Sequence, residues 1–169
     1  MGNPIGNLYR KNHVLVLVGD GEGNFILGKK KDFYPNHISR MIGGGVKEAE
    51  NPSNAAQRET KEEFGLDIPV SEFKPLCVVN TLADTTEGHM EMQTSIYFVA
   101  INKSQTIKPS DDISGIETYS QAAYENLIRA MEQLTGKFVT EKYSFEWKDW
   151  GKVYAPIHRL ALENLRTKA

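Results

Sequence analysis

Residues 43–66 read GGGVKEAENPSNAAQRETKEEFGL, and no other stretch constrains the fold so tightly. Asn51 can cap a helix. Pro52 suits its first turn, where an N–H has no partner anyway, and Gly65 is placed for a left-handed C-terminal residue. The spacing predicts a helix body over residues 55–64. On it Glu59, Glu62 and Glu63 stand at i, i+3 and i+4, so their carboxylates project from one face within one turn. Like charges so spaced each destabilise a helix by ~0.2–0.5 kcal/mol, and the dipole at the C-terminal end disfavours anions further. A hard divalent cation offsets that cost, because Mg²⁺ takes oxygen ligands and favours a few carboxylates plus water and phosphate. On the opposite side Ala56, Thr60 and Phe64 form a narrow stripe that can lie close against a sheet. Arg58 can brace neighbouring carboxylates with its forked donors. Gly43, Gly44 and Gly45 let the backbone approach a metal or phosphate without Cβ obstruction.

The rest of the chain alternates strand and helix patterns, which argues for an α/β class. Residues 13–18 form an unbroken apolar, β-branched run, expected of a strand covered on both faces. A Gly/Asp/Asn-rich loop connects it to a second strand over residues 25–28. Residues 29–40 are basic and turn-rich. Two further strands are expected over residues 73–81 and 93–102, joined by a polar, mobile connection over residues 82–92, and residues 103–115 read as another polar connection before Tyr119. Leu127, Ala130, Met131 and Leu134 give residues 121–135 helical spacing, with Gly136 as the stop. Residues 138–154 are rich in aromatics and fit strand or irregular structure equally. Ile157, Leu160, Ala161, Leu162 and Leu165 mark an amphipathic final helix.

A length of 169 residues predicts one domain, here residues 1–169 with a core over about 8–136 and an extension over 137–169. The 20 Lys+Arg against 22 Asp+Glu leave a net charge of −2, so nothing draws the chain globally toward nucleic acid or anionic membrane. Neither a bilayer-spanning run nor a signal-peptide pattern is present, and the expected location is cytoplasmic. Cys77, the one cysteine, lies in an apolar run and reads as a buried core thiol. A homodimer contact through the aromatic region and the last helix is left open.

The segment resembles the Nudix hydrolase signature, Gly-x5-Glu-x7-Arg-Glu-U-x-Glu-Glu-x-Gly-U with U a bulky aliphatic residue. Gly44, Glu50, Arg58, Glu59, Glu62, Glu63 and Gly65 match all seven fixed positions, and Leu66 fills the last U. At roughly 6% usage per residue type, a chance match in this chain is below about one in a million. That match outweighs reading the three glutamates as a solvated acidic face. Thr60 departs from the pattern but keeps β-branched bulk. Ile38 and Ile42 stand where many members have Trp and Pro.

The resemblance implies an α/β/α sandwich with a mixed β-sheet, the box forming a loop–helix–loop across it. It further implies Mg²⁺-dependent hydrolysis, with Mn²⁺ as an alternative ion, of a nucleoside diphosphate linked to another group. By position Glu59 and Glu63 would be the principal metal ligands, Glu62 a further or water-mediated one, and a carbonyl of Gly43 or Gly44 would complete the shell. Glu50 would support Arg58 and the loop. The general base stays open among Glu62, Glu59, Asp112 and Glu117. Lys29, Lys30, Lys31 and Arg40 read first as an ordinary charged hairpin end and second as phosphate contacts, and of these Lys29 and Arg40, with the backbone of Gly44 and Gly45, are the candidates for substrate phosphate. His37 and His89 read as surface residues, and Tyr34, Tyr119, Trp147 and Trp150 as core aromatics before base-stacking ones. Subfamily marks for ADP-ribose, dinucleoside polyphosphate, coenzyme A and NADH substrates are missing downstream, which leans the expectation toward a nucleoside triphosphate or nucleotide sugar. The rival reading is a catalytically silent module that senses a nucleotide or binds a partner. An isoprenoid isomerase would want a reactive Cys in another kind of segment, and RNA decapping fits poorly with a neutral chain.

Overall fold

The computed structural model describes residues 11–33, 35, 37–85, 88–140 and 144–168. Tyr34, Tyr143 and the N-terminal segment read above lie outside the described residues. Strand β1 (Asn12–Gly19) runs through the centre of the molecule. Its Val14, Val16 and Val18 point into one core while Leu15 and Leu17 point into the other, all five fully buried. That is the physical content of its unbroken apolar run: covered on both faces, it has no solvent side.

Around it lie β2 (Phe25–Lys30), β3 (Ile42–Gly45), β4 (Lys74–Thr85), β5 (Gly88–Ala100) and β6 (Ile113–Tyr119). The order is β4-β5-β1-β2-β6, with β3 also paired to β1. The β1–β5 pairing is parallel and the others are antiparallel, so the sheet is mixed. β2 takes the end of β1 (Gly19↔Phe25) and β3 its beginning (His13↔Gly45), which sets the β3 glycines beside the first half of the central strand.

Helix α1 (Pro52–Phe64) covers one face. The Asn51 side chain accepts the Ser53 N–H at 3.0 Å, and Gly65 closes the far end at φ 65° with its N–H on the Lys61 carbonyl. Ala56, Thr60 and Phe64 are fully buried against the sheet. Thr60 tolerates that site because its hydroxyl donates to the Ala56 carbonyl at 2.7 Å. Helices α2 (Gln121–Glu132) and α3 (Trp147–Lys168) cover the other face, completing the three layers. Tyr124 of α2 and His158 of α3, both fully buried, are joined at 2.7 Å through the phenol oxygen and Nδ1. Burial pushes the His158 imidazole down to about 3, so it packs as a neutral ring.

Three expectations need correction. Residues 82–92 are not a mobile connection: β4 and β5 continue through them as one long hairpin. Met90 and Met92 are buried and alternate with exposed His89, Glu91 and Gln93, so the polar composition describes one face only. Residues 138–154 resolve into a short hairpin, β7 (Lys137–Val139) with β8 (Ser144–Glu146), followed at once by α3, which begins ten residues before Ile157 and carries Pro156 within it. Phe138, Phe145 and Trp147 pack around Phe33, and Trp150 stacks on Tyr154. Cys77 is half-buried at a β4 bulge rather than fully enclosed.

Close approach of α2 and α3 depends on Gly151, where a Cβ would collide with the Met131 carbonyl oxygen. Gly151→Ala is therefore expected to destabilise the chain by about 1–3 kcal/mol, read as a lower midpoint in urea unfolding. An unchanged midpoint would show that the two helices can separate at no cost.

Candidate active site

The α1 arc faces β3. Glu59 is buried at 9% exposure, and its carboxylate sits so close to Gly44 that a Cβ there would lie 2.5 Å from Glu59 Oε1. Gly43 has φ 147° and its missing Cβ would run into the Val14 carbonyl, so neither position accepts a side chain. The Gly43 N–H donates to Glu63 Oε2 at 2.9 Å, tying the second carboxylate to the same strand. Glu62 is the open member of the arc, its side chain 55% exposed.

Arg58 organises these acids. Its Nε and Nη2 donate to the two carboxylate oxygens of Glu50 at 2.9 and 3.0 Å, in the fork geometry that guanidinium and carboxylate share. Nη1 donates to Glu59 at 2.6 Å and to Glu62 at 3.2 Å, and Nη2 also reaches the Gly45 carbonyl at 2.9 Å. One side chain thus joins β3, the loop after it and α1. Those hydrogen bonds hold the Glu50 carboxyl well down, at about 2. Glu63 shifts the other way: burial pushes it up, opposed by the charges of Arg40 and Lys30 and by the Gly43 N–H, with Glu59 adding repulsion.

Arg40 bridges β2 through paired backbone hydrogen bonds with Gly28, each 3.0 Å, and with Lys30 and Glu63 it lines a crevice too tight to admit water. Of the three consecutive lysines read from the sequence as phosphate contacts, Lys30 is the one on the Glu63 side. Lys29 instead lies diagonal to Glu117, whose register partner is Leu27, on the face covered by α2 and α3, and forms an ion pair with it. Strand alternation carries the signal that separates these neighbouring lysines: Leu27 faces α2 and α3, while Gly28 faces Phe64 of α1. Glu117 also accepts hydrogen bonds from the Tyr119 hydroxyl and, at 3.4 Å, from Ser39. Lys29 foremost, then Tyr119, pulls its carboxyl down, and burial with this contact pushes the Tyr119 phenol up to about 12. Glu117 thus stands apart from the α1 arc, linked to it through Ser39 and the adjoining Arg40. Asp112 is exposed in the turn before β6, its carbonyl receiving the Lys31 N–H at 2.8 Å. Two residues earlier, the Ser110 N–H donates to the Glu63 carbonyl at 3.0 Å, so this loop crosses the end of α1.

His37 and His89 are on the surface, and Trp147 and Trp150 are core residues. Among the described residues, no three His, Cys, Asp or Glu side chains already converge as a complete metal cage. The donor set nonetheless fits Mg²⁺, which is held by one or two carboxylates together with water and substrate phosphate rather than by an all-protein cage.

The family model for the NUDIX domain matches residues 9–141, most of the sequence, and the chain belongs to the Nudix family. An uncharacterized Nudix hydrolase of Yersinia pestis is 33% identical over 67 residues. That match spans 37% of this chain and 37% of the relative, little more than a third of its length. Among solved structures, the MutT NUDIX hydrolase of Burkholderia pseudomallei superposes with a TM-score of 0.58 at 18% identity, covering 92% of this chain and 98% of that one. The NUDIX domain of Shewanella oneidensis NrtR, solved with ADP ribose, gives a TM-score of 0.54 at 13% identity, covering 90% and 89%. At such identities these two establish the shared fold. No helix among the described residues is long and apolar enough to cross a membrane.

The Arg58–Glu50 pair predicts an acid limb in the stability profile. Glu50 loses its charge near 2 in the folded chain, against an ordinary 4.5, so the pair stabilises fully above about 4.5 and fades as pH falls toward 2. Glu50→Gln should lower the thermal midpoint at neutral pH, and the gap to wild type should narrow through that window. A gap independent of pH would contradict the pairing.

Proposed function

We propose that this chain is a Mg²⁺-dependent pyrophosphohydrolase, with Mn²⁺ able to substitute, that cleaves the diphosphate linkage of a nucleoside diphosphate derivative. The observation that supports it most is the pair of carboxylates, buried Glu59 and half-buried Glu63, held against the glycines of β3 where there is no room for a Cβ. Arg58 pairs with Glu59 and the charges of Arg40 and Lys30 act on Glu63, and a divalent cation between the two like-charged carboxylates would stabilise them further. Use of divalent metal ions is general in the family. When bound, the ion neutralises the diphosphate, polarises its P–O bonds and lowers the pKa of a coordinated water.

The chain's own residues divide the remaining work. Glu59 and Glu63, with a carbonyl of Gly43 or Gly44, hold the ion. Arg40 and Lys30, whose charges act on the Glu63 carboxyl, receive the phosphate oxygens together with the backbone of Gly44 and Gly45. Glu62, open to solvent yet restrained by Arg58, takes the proton from the attacking water, a role typically worth 10²–10⁴-fold. Arg58 positions Glu62 and Glu59 rather than touching substrate. Glu117, engaged by Lys29 and Tyr119 on the other face, serves better as an anchor for residues 39–40 than as the base. For the substrate we favour a nucleoside triphosphate or nucleotide sugar. The extension over residues 137–169 is taken as part of the same folding unit, since α3 shares a core with the sheet.

The test is turnover of a panel of nucleoside triphosphates and nucleotide sugars with Mg²⁺, reading released pyrophosphate or nucleoside monophosphate. Glu59→Gln and Glu63→Gln should each cut kcat by at least about 10²-fold while the chain stays folded by circular dichroism. Wild-type turnover in both variants would falsify the proposal. Stabilisation by nucleotides with no product from any compound would favour the catalytically silent alternative.

A further inference from the structure

We propose that the cavity between the β1–β2 loop and the end of α3 binds a small aromatic anion, its rings against Phe98, Leu162 and Leu165 and its acid group on Arg166. This cavity, about 350 Å³, adjoins the end of β1 at Gly19, whereas the glycines of β3 pair with the first half of that strand. Phe98 packs on the core shared with α2 and α3, so the sheet also separates the cavity from α1 and its acidic arc. The proposed hydrolysis makes no use of it. Its size falls within the range of ordinary small-molecule sites, roughly 300–1,000 Å³.

The walls are held in place without a ligand. A Cβ at Gly19 would come within 2.9 Å of the Phe98 ring, so that half-buried ring rests on bare backbone. The Asp20 side chain clamps the loop: Oδ1 accepts the Glu22 N–H at 2.7 Å and the Asn24 N–H at 3.0 Å, and Oδ2 accepts the Asn24 side-chain amide at 2.8 Å. Gly21 and Gly23, at φ 77° and 92°, line the cavity with no side chain to fill it. Leu162 and Leu165, three residues apart on α3, give the facing wall an apolar surface. Such a wall gains by covering itself with apolar atoms, and the Phe98 ring favours a second ring packed offset or edge-on.

Charge selects what else the ligand carries. Among the described residues, Arg166 is the one charged side chain that lines the cavity. Its Nη2 donates to Glu125, and its other donors have no partner among the described residues. A planar acid group can therefore take the open side of the guanidinium fork, with Glu125 as its competitor.

The test is an NMR titration of the isotope-labelled full chain with 2-naphthoate and with its neutral counterpart, 2-naphthalenemethanol. Naphthoate should shift the amide signals of Gly21, Gly23 and Leu165, and bind at least about tenfold more tightly than the alcohol, as one charge-assisted contact allows. Arg166→Gln should erase that preference and leave alcohol binding as it was. Arg159→Gln, at a comparably exposed arginine paired with Glu132, should change neither. Glu125→Gln should tighten naphthoate by removing the competitor. Shifts absent from the cavity residues, equal affinity for acid and alcohol, a preference that survives Arg166→Gln, or no gain in Glu125→Gln would each overturn the proposal. None of these readouts depends on hydrolysis.

Discussion

The Arg58 guanidinium is the constraint on which the candidate site depends. Its donors reach Glu50 on the loop, Glu59 and Glu62 on α1, and the Gly45 carbonyl on β3. Without it, Glu59 and Glu62 would lose the donor that offsets their repulsion on one helical arc, while Glu63 is held separately by the Gly43 N–H. With Arg58 present, these acids are held at one end of a helix whose other side is fixed to the sheet by Ala56, Thr60 and Phe64. A lysine could not replace it, because one ammonium cannot present two parallel donors to Glu50 while reaching two further carboxylates.

The sheet supplies the second half of the arrangement. β1 shares one side between β2 and β3, so the residue that bridges to β2, Arg40, leads straight into the glycine turn. Gly43 and Gly44 then bring bare backbone against Glu63 and Glu59, where any side chain would collide. Positive charge from Arg40 and Lys30 opposes the upward push that burial exerts on Glu63. Carboxylates of α1, the backbone of β3 and the cations Arg40 and Lys30 are therefore brought together by the pairing of β2 and β3 with β1.

Much of this was legible in the sequence because it is local. The cap at Asn51, the stop at Gly65 and the acidic arc are fixed by spacings within one loop and one helix, and the Arg58–Glu50 pairing is what the resemblance to the Nudix signature implies. Features that depend on distant partners were not. The β4–β5 hairpin hides its buried Met90 and Met92 among residues that face water, so composition alone suggested a loop. Lys29 and Lys30 differ only in which sheet face they take, and β6 decides that. Asp112 and Glu117 were placed by analogy, yet one occupies a turn beyond the end of α1 and the other pairs on the opposite face. The β7–β8 hairpin exists because Phe138 and Phe145 find Phe33 more than a hundred residues earlier, a contact that no window along the chain contains.

The central claim is that Glu59 and Glu63 share a divalent cation beside the glycine turn. Anomalous diffraction from crystals soaked in Mn²⁺ with a non-hydrolysable nucleotide tests it most directly. The account predicts a peak bounded by the Glu59 and Glu63 carboxylates and the carbonyl of Gly43 or Gly44, with phosphate oxygens on its open side. Clear nucleotide density with no manganese at that position, or manganese bound only elsewhere, would contradict it.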